Sequence, residues 1–279
     1  MGKFGNALKT TILLALLTAL LLWVGNLVGG TSGLAIAFVI VLIMNFSMYF
    51  WSDKIVLKMY KAKELPKSHF VYGIVKEVAH EAGVPMPKAY IVESATPNAF
   101  ATGRSPKHSA VAVTSGILTL LDEKELKGVI AHEMSHVKNR DTLIQTIAAV
   151  IAGIISFIAS MARFGALSSD DDRGGNFISL IIIGILTPIV AMLMQLALSR
   201  TREYMADEGS ARLMHDGKPL SNALRKLEKG NILNPFKSGN TATAPLFIVN
   251  PFKGSAIVEF LSTHPPMEKR IVRLEQLRL

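Results

Sequence analysis

The sequence predicts an α+β fold, mostly α, divided between four membrane-spanning helices and a soluble domain assembled from two separate chain segments. Three observations predict it: four apolar runs long enough to cross a bilayer, basic residues gathered at one set of their ends, and soluble segments in which helical periodicity frames three short strand-like runs. Of the 279 residues, 50% are hydrophobic and only 18% charged, an apolar excess that points toward a membrane. There is no cysteine, which excludes disulfides, thiolate metal sites and cysteine nucleophiles.

The first apolar run extends from about Leu8 to Val28 and the second from about Leu34 to Trp51. The third follows Asp141 and ends near Met161, and the fourth extends from near Phe177 to near Ser199. A spanning helix needs about 20 such residues, and Pro188 within the fourth run is tolerated in a membrane helix. Lys3, Lys9 and the small-residue pattern Ala35-Ile-Ala37 would also suit a cleaved signal peptide. That cleavage point falls inside the second apolar run, so two spans are the better reading. The chain then divides into 1–52 (first helix pair), 53–141 (soluble), 142–199 (second helix pair) and 200–279 (soluble).

Charge sets the orientation. Lys54, Lys58, Lys61, Lys63 and Lys67 follow the second run, and Arg200 and Arg202 follow the fourth. The loop between the third and fourth runs holds Asp170, Asp171 and Asp172 against a single Arg173. Positive residues stay on the cytoplasmic side, which places both termini and both soluble segments there. The formal charge of +9 is thereby explained by topology, and with no recognition motif present no nucleic acid is expected as a partner.

In the first soluble segment Ser68 is positioned to cap a helix through Val71, Val75 and Val78, which Gly83 and Pro85 end. Strand-like runs follow at Lys88–Glu93, Asn98–Thr102 and Ser109–Thr114, and a further helix starts near Asp122. The second segment opens as helix at about Arg200. It loosens from Asn231 to Gly254, where Asn-Pro-Phe-Lys occurs at 234–237 and again at 250–253, and closes with an amphipathic helix from Met267.

The chemistry concentrates at His132-Glu133-Met134-Ser135-His136. Two histidines four apart stand on one helix face, so both imidazoles can bind a single Zn²⁺ with Glu133 beside the site. Zinc brings the pKa of water to about 7, and Glu133 can take its proton and pass one to a leaving amine. A third ligand is available in Glu203. The hairpin of the third and fourth spans brings their ends together, and His136 and Glu203 lie about 10 Å and about 6 Å beyond those ends at 1.5 Å per helical residue. Asp207 or His264 would be next in line. Asp207, four residues after Glu203, can accept a hydrogen bond from a ligand histidine and fix its tautomer. The plainer reading of Glu203 and Asp207 is ion pairing with Arg200 or Arg202.

With these residues in place the chain resembles the HtpX heat-shock membrane metalloproteases, relatives of the CAAX prenyl proteases. The resemblance rests on His132–His136, Asn139, Asp141, Arg202-Glu203-Tyr-Met-Ala-Asp207, Asn98-Ala-Phe-Ala-Thr-Gly103 and Thr263-His264-Pro265-Pro266. It implies a zincin-like (gluzincin) catalytic domain facing the cytoplasm of a prokaryotic cell, anchored in its membrane by several spans. One zinc per chain and cleavage of misfolded or damaged membrane proteins are implied with it. Asn98, Ala99, Phe100 and Ala101 match the segment expected at the edge of the cleft, where an extended substrate could add as a strand. His264 is implied as a donor to the tetrahedral oxyanion.

Two other readings use the same residues: a membrane adaptor that holds zinc without catalysis, its basic stretch on anionic lipid, and a processing protease dedicated to one substrate. His69, His80, His108 and His215 have no ligand spacing and read as surface residues. Asn45 and Gln195 read as polar links between membrane helices. Glu64, Glu77 and Glu81 read as solvated surface.

Overall fold

The computed structural model describes residues 3–148, 150, 151, 200–233, 246, 248 and 265–277. The fourth span, most of the third, both Asn-Pro-Phe-Lys repeats and His264 lie outside the described residues.

Helix α1 (Lys3–Met59) contains both N-terminal apolar runs. It is broken at Gly29 (φ −138°) and Gly30 (φ 55°, ψ −140°), the latter a conformation open to glycine because it has no Cβ. The two halves fold back on each other. Thr18 and Asn45 are 27 residues apart, which a continuous helix would stretch over about 40 Å, yet Asn45 Nδ2 donates to Thr18 Oγ1 at 2.9 Å. Asn45 thus links neighbouring helices, as its position within an apolar run suggests. Gly29–Met59 is, among the described residues, the helix long and apolar enough to cross a membrane. Its surface is unusually apolar: Ile36, Phe38, Val39, Leu42, Ile43 and Phe46 are all exposed, which suits lipid rather than water.

A four-stranded sheet follows, in the order β1-β2-β4-β3. The strands are β1 (Lys63–Glu64), β2 (Lys88–Val92), β3 (Ala99–Ser105) and β4 (His108–Thr114). β2 pairs parallel with β4, while β1–β2 and β3–β4 are antiparallel. The three longer strands match the sequence reading to within a few residues. β1 does not announce itself, because two residues carry no alternation to detect. Pro106 and Lys107 turn β3 into β4, and the register slips at Gly103. A Cβ there would lie 2.1 Å from the His108 carbonyl oxygen.

Alternation along the strands builds two cores, one on each face. Ala99, Ala101, Val111 and Val113 face one core, shared with helices α2 (Phe70–Ala82) and α4 (Glu123–Asn139). Phe100, Ala110 and Ala112 face the other, shared with Met48, Val56 and Leu57 of α1 and with Ile144, Ile147 and Ile151. The sheet therefore lies between the soluble helices and the ends of the apolar ones. Helix α2 is capped by His69, whose Nδ1 accepts from the Val71 amide at 3.3 Å. This corrects the expected Ser68 cap, since His69 is the residue in the extended conformation a cap requires. Gly83, at φ 67°, ends α2 as expected.

Short helix α3 (Ser115–Leu120) joins the sheet to α4. Asp122 caps α4 in a reciprocal capping box, its side chain accepting from the Glu125 amide and the Glu125 carboxylate from the Asp122 amide. Three helices close the domain: α5 (Arg200–Met214), α6 (Lys218–Leu233) and α7 (Met267–Gln276). Their approach to α4 depends on small residues. Ser210 Oγ donates to the Gly128 carbonyl at 2.7 Å, and a Cβ on Gly209 would lie 2.4 Å from Ser135 Oγ.

Candidate metal centre

Helix α4 presents His132, Glu133 and His136 from its buried face, and α5 presents Glu203 and Asp207 opposite them. All five are nearly inaccessible to solvent. The two Nε2 atoms of His132 and His136 are 3.3 Å apart. Glu203 Oε2 lies 3.7 Å from His132 Nε2, and Glu203 Oε1 lies 3.6 Å from His136 Nε2. Ligands about 2.0–2.1 Å from one tetrahedral ion sit roughly 3.3–3.5 Å from each other, so these three side chains have the spacing of a metal set.

The outer partners give the same result. His132 Nδ1 is 3.0 Å from Asp207 Oδ1, and His136 Nδ1 is 3.0 Å from Asp141 Oδ2. His136 Nδ1 hydrogen-bonds its carboxylate and His132 Nδ1 lies in contact with its own; with the proton of each neutral ring on Nδ1, each turns an Nε2 lone pair inward. Two lone pairs and a carboxylate then face one another in a buried space, an arrangement that a bound cation relieves. Charge agrees: the buried carboxylates Glu133, Asp141, Glu203 and Asp207 stand against the buried guanidinium groups of Arg202 and Arg270. With neutral imidazoles the cluster is left two negative charges in excess, and one divalent ion balances it.

Without a metal the site resolves this tension through protons. Burial works against a charged His136, but Asp141 and then Glu203 outweigh it and push the imidazole up to about 9. Burial raises the Glu133 carboxyl, partly offset by the neighbouring histidines. Asp207 is held below the usual carboxylate range; burial opposes this, and the Arg270 guanidinium overcomes it. Burial lowers Arg202, against the pull of Asp141 and Glu203.

Glu133 is tied to the sheet: the Ala101 amide donates to its Oε2 at 2.8 Å. Asn98 and Thr114 bond across the ladder, so by the antiparallel alternation Ala99, Ala101 and Gly103 direct their backbone groups away from β4, to the side on which no other described strand pairs with β3. The Gly103 carbonyl is taken by Thr142 Oγ1 at 2.8 Å. Ala99 and Phe100 are buried among the strands. The Asn98 side chain is committed within the chain, its Nδ2 donating to the Leu246 carbonyl and its Oδ1 accepting from the Ile248 amide.

The structure thus brings together the sequence-derived His132, Glu133, His136, Glu203 and Asp207, with Ala99–Ala101 on β3 beside them and Asn98 immediately before it. Two contributors were not assigned from sequence. Asp141, noted only as part of a motif, is the partner of His136. Arg270, from the far end of the chain, holds Asp207 through Nε–Oδ2 at 2.9 Å and Nη2–Oδ1 at 2.7 Å. An arginine within an amphipathic C-terminal helix gives no local signal of such a role. The remaining histidines described are peripheral, as expected: His69 caps α2, and His80, His108 and His215 are exposed.

Comparison with known proteins places this geometry in a family. Residues 67–278 match the profile of Peptidase family M48. The chain is 48% identical over 281 residues to a Protease HtpX homolog of Syntrophobacter fumaroxidans, covering 98% of this chain and 100% of the relative. It is 53% identical over 286 residues to a Protease HtpX homolog of Pyrococcus furiosus, covering 99% and 97%. Among solved structures, Ste24p of S. mikatae shares the fold with a TM-score of 0.53 at 16% identity, covering 97% of this chain and 66% of that one. The chain belongs to peptidase family M48, is similar throughout its length to HtpX proteases, and is a metalloprotease.

Proposed function

We propose that the chain is a zinc-dependent endopeptidase that cleaves misfolded or damaged membrane proteins at the cytoplasmic face of a prokaryotic cell membrane. The observation that carries this reading is the convergence of His132, His136 and Glu203 beside Glu133, itself bonded to an edge strand. Two imidazoles and one carboxylate form a donor set suited to catalytic zinc. Zinc held there supplies Lewis acidity toward a scissile carbonyl and toward water.

The chain's own groups supply the rest. Asp207 and Asp141 hold His132 and His136 in the tautomer that offers Nε2. Glu133 takes a proton from the attacking water and delivers one to the departing amine. The Ala101 amide keeps the carboxylate aimed while it does so. An extended substrate segment pairs with the outer edge of β3 through the Ala99 backbone and the Ala101 carbonyl, the Ala101 amide being held by Glu133, which favours unfolded over folded chains.

The place of the sheet supports membrane substrates: it packs on the end of α1, where an apolar helix surface gives way to the exposed Lys54, Lys58, Lys61, Lys63 and Lys67. Those lysines support the cytoplasmic orientation, and the four apolar runs support four spans. The test is to purify the protein metal-free in detergent, restore one equivalent of zinc and follow cleavage of an unfolded protein by wild type and Glu133→Ala, with zinc quantified in both. Cleavage by wild type alone, with zinc bound to both, is the expected result. Equal cleavage by the variant would remove Glu133 from the role of base.

A further inference from the structure

We propose that Arg270 is a positioning residue of the metal centre, a clamp that fixes Asp207 and Glu203 together so that His132 and Glu203 meet the ion in register. The inference rests on the metal-site reading above. Arg270 is wholly buried and lies on α7, more than sixty residues from either partner. Its guanidinium grips both oxygens of Asp207 in the two-pronged manner that fixes a carboxylate in plane as well as in place. A third nitrogen, Nη1, lies 3.5 Å from Glu203 Oε2 and donates to the Ile248 carbonyl at 3.0 Å.

One cation therefore touches the carboxylate that orients His132 and the carboxylate that faces both histidines. Two effects follow. The fork fixes the Asp207 carboxylate in plane, with Oδ1 3.0 Å from His132 Nδ1. Glu203, drawn by Arg270 on Oε2, keeps Oε1 toward His136. Lysine cannot substitute, because a single ammonium provides neither the planar fork nor the third reach to Glu203.

The test compares wild type, Arg270→Lys, Arg270→Met, Asp207→Asn and the double variant Asp207→Asn/Arg270→Met, each as the full chain in detergent. Zinc affinity is read by competition with a chromophoric chelator. Thermal unfolding of the metal-free protein, kcat and KM on an unfolded substrate are read alongside it. Arg270→Met is expected to lose about 10–100-fold in zinc affinity, the usual cost of an outer-sphere partner, with kcat reduced and KM held. Arg270→Lys should restore little of this.

Because Arg270→Met strands a buried carboxylate, its fold is at risk. The double variant removes both charges and keeps the measurement possible. If Arg270 acts through Asp207, the double variant loses no more affinity than Asp207→Asn alone. Wild-type zinc affinity and kcat in folded Arg270→Met or in the double variant would overturn the clamp while leaving the metal site standing. Absence of zinc binding by wild type would overturn both.

Discussion

His136 Nδ1 meets Asp141 Oδ2 at 3.0 Å, although the two residues are five apart and do not share a helix face. The contact is made by the end of α4. Arg140 adopts a left-handed conformation (φ 61°), its amide returning to the last carbonyls of the helix, and the Asp141 amide bonds the His136 carbonyl at 3.0 Å. The reversal swings the carboxylate back under the imidazole.

Replacing Asp141 by alanine should therefore lower zinc affinity about 10–100-fold while leaving the α4 hydrogen bonds intact. Chelator competition on purified protein, with helix content checked by circular dichroism, reads both. Unchanged affinity would mean that Asp141 only terminates the helix.

The contrast between Asp207 and Asp141 explains how far the site was legible in the sequence. Helical spacing put His132 beside His136, and Glu203 beside Asp207, because those pairs are four apart on regular helices. Asp141 reaches His136 through a helix cap, and Arg270 reaches Asp207 across the tertiary fold, so no periodicity encodes either contact. The same division holds for the fold. Strands of five or more alternating residues, the Asp122 helix start and the Gly83 stop were readable. Two-residue β1 and the shift of the α2 cap from Ser68 to His69 depend on how the chain turns.

The metal-free protein should lose stability as pH rises. His136 is raised from 6.5 to about 9, so the stability its protonated ring contributes is fully present below pH 6.5 and lost as pH rises through about 9. Glu133, raised by burial, acts with the same sign. Zinc displaces the His136 proton, so binding should strengthen with pH over that range and release protons. Unfolding midpoints of chelator-treated protein at about pH 6 and about pH 9 test the first half. Zinc titration calorimetry in two buffers of different ionisation enthalpy tests the second. A flat midpoint in wild type, matched by His136→Gln, would assign the histidine no such coupling.

Ala99→Pro should separate substrate binding from chemistry. The Ala99 amide points away from β4 by the β3–β4 alternation, so proline removes no β3–β4 ladder bond. It would remove one main-chain bond to a strand-like substrate, worth about 0.5–1.5 kcal/mol, or roughly 2–12-fold. The expected result is that rise in KM for an unfolded substrate, with kcat and bound zinc close to wild type. A fall in kcat with KM unchanged would show that substrate does not pair at this edge.

Gly209 sets the distance between the two halves of the metal centre. It lies on α5 between the Glu203–Asp207 turn and the helix end, and a Cβ there would sit 2.4 Å from Ser135 Oγ and 2.9 Å from Ser135 Cβ on α4. Ser135 is itself bonded to the Ala131 carbonyl and buried, so it has little room to yield. Gly209→Val should cost about 1–3 kcal/mol through overpacking and push α5 away from α4. Glu203, two turns nearer the start of α5, would move with it from its 3.6–3.7 Å approach to the histidines. Zinc affinity should then fall in Gly209→Val, and Ser135→Ala in the same chain should recover part of it by removing the nearest obstructing atom. Loss of thermal stability with unchanged zinc affinity would mean that α5 tilts about the metal end, leaving the ligand spacing to Arg270 and the ion.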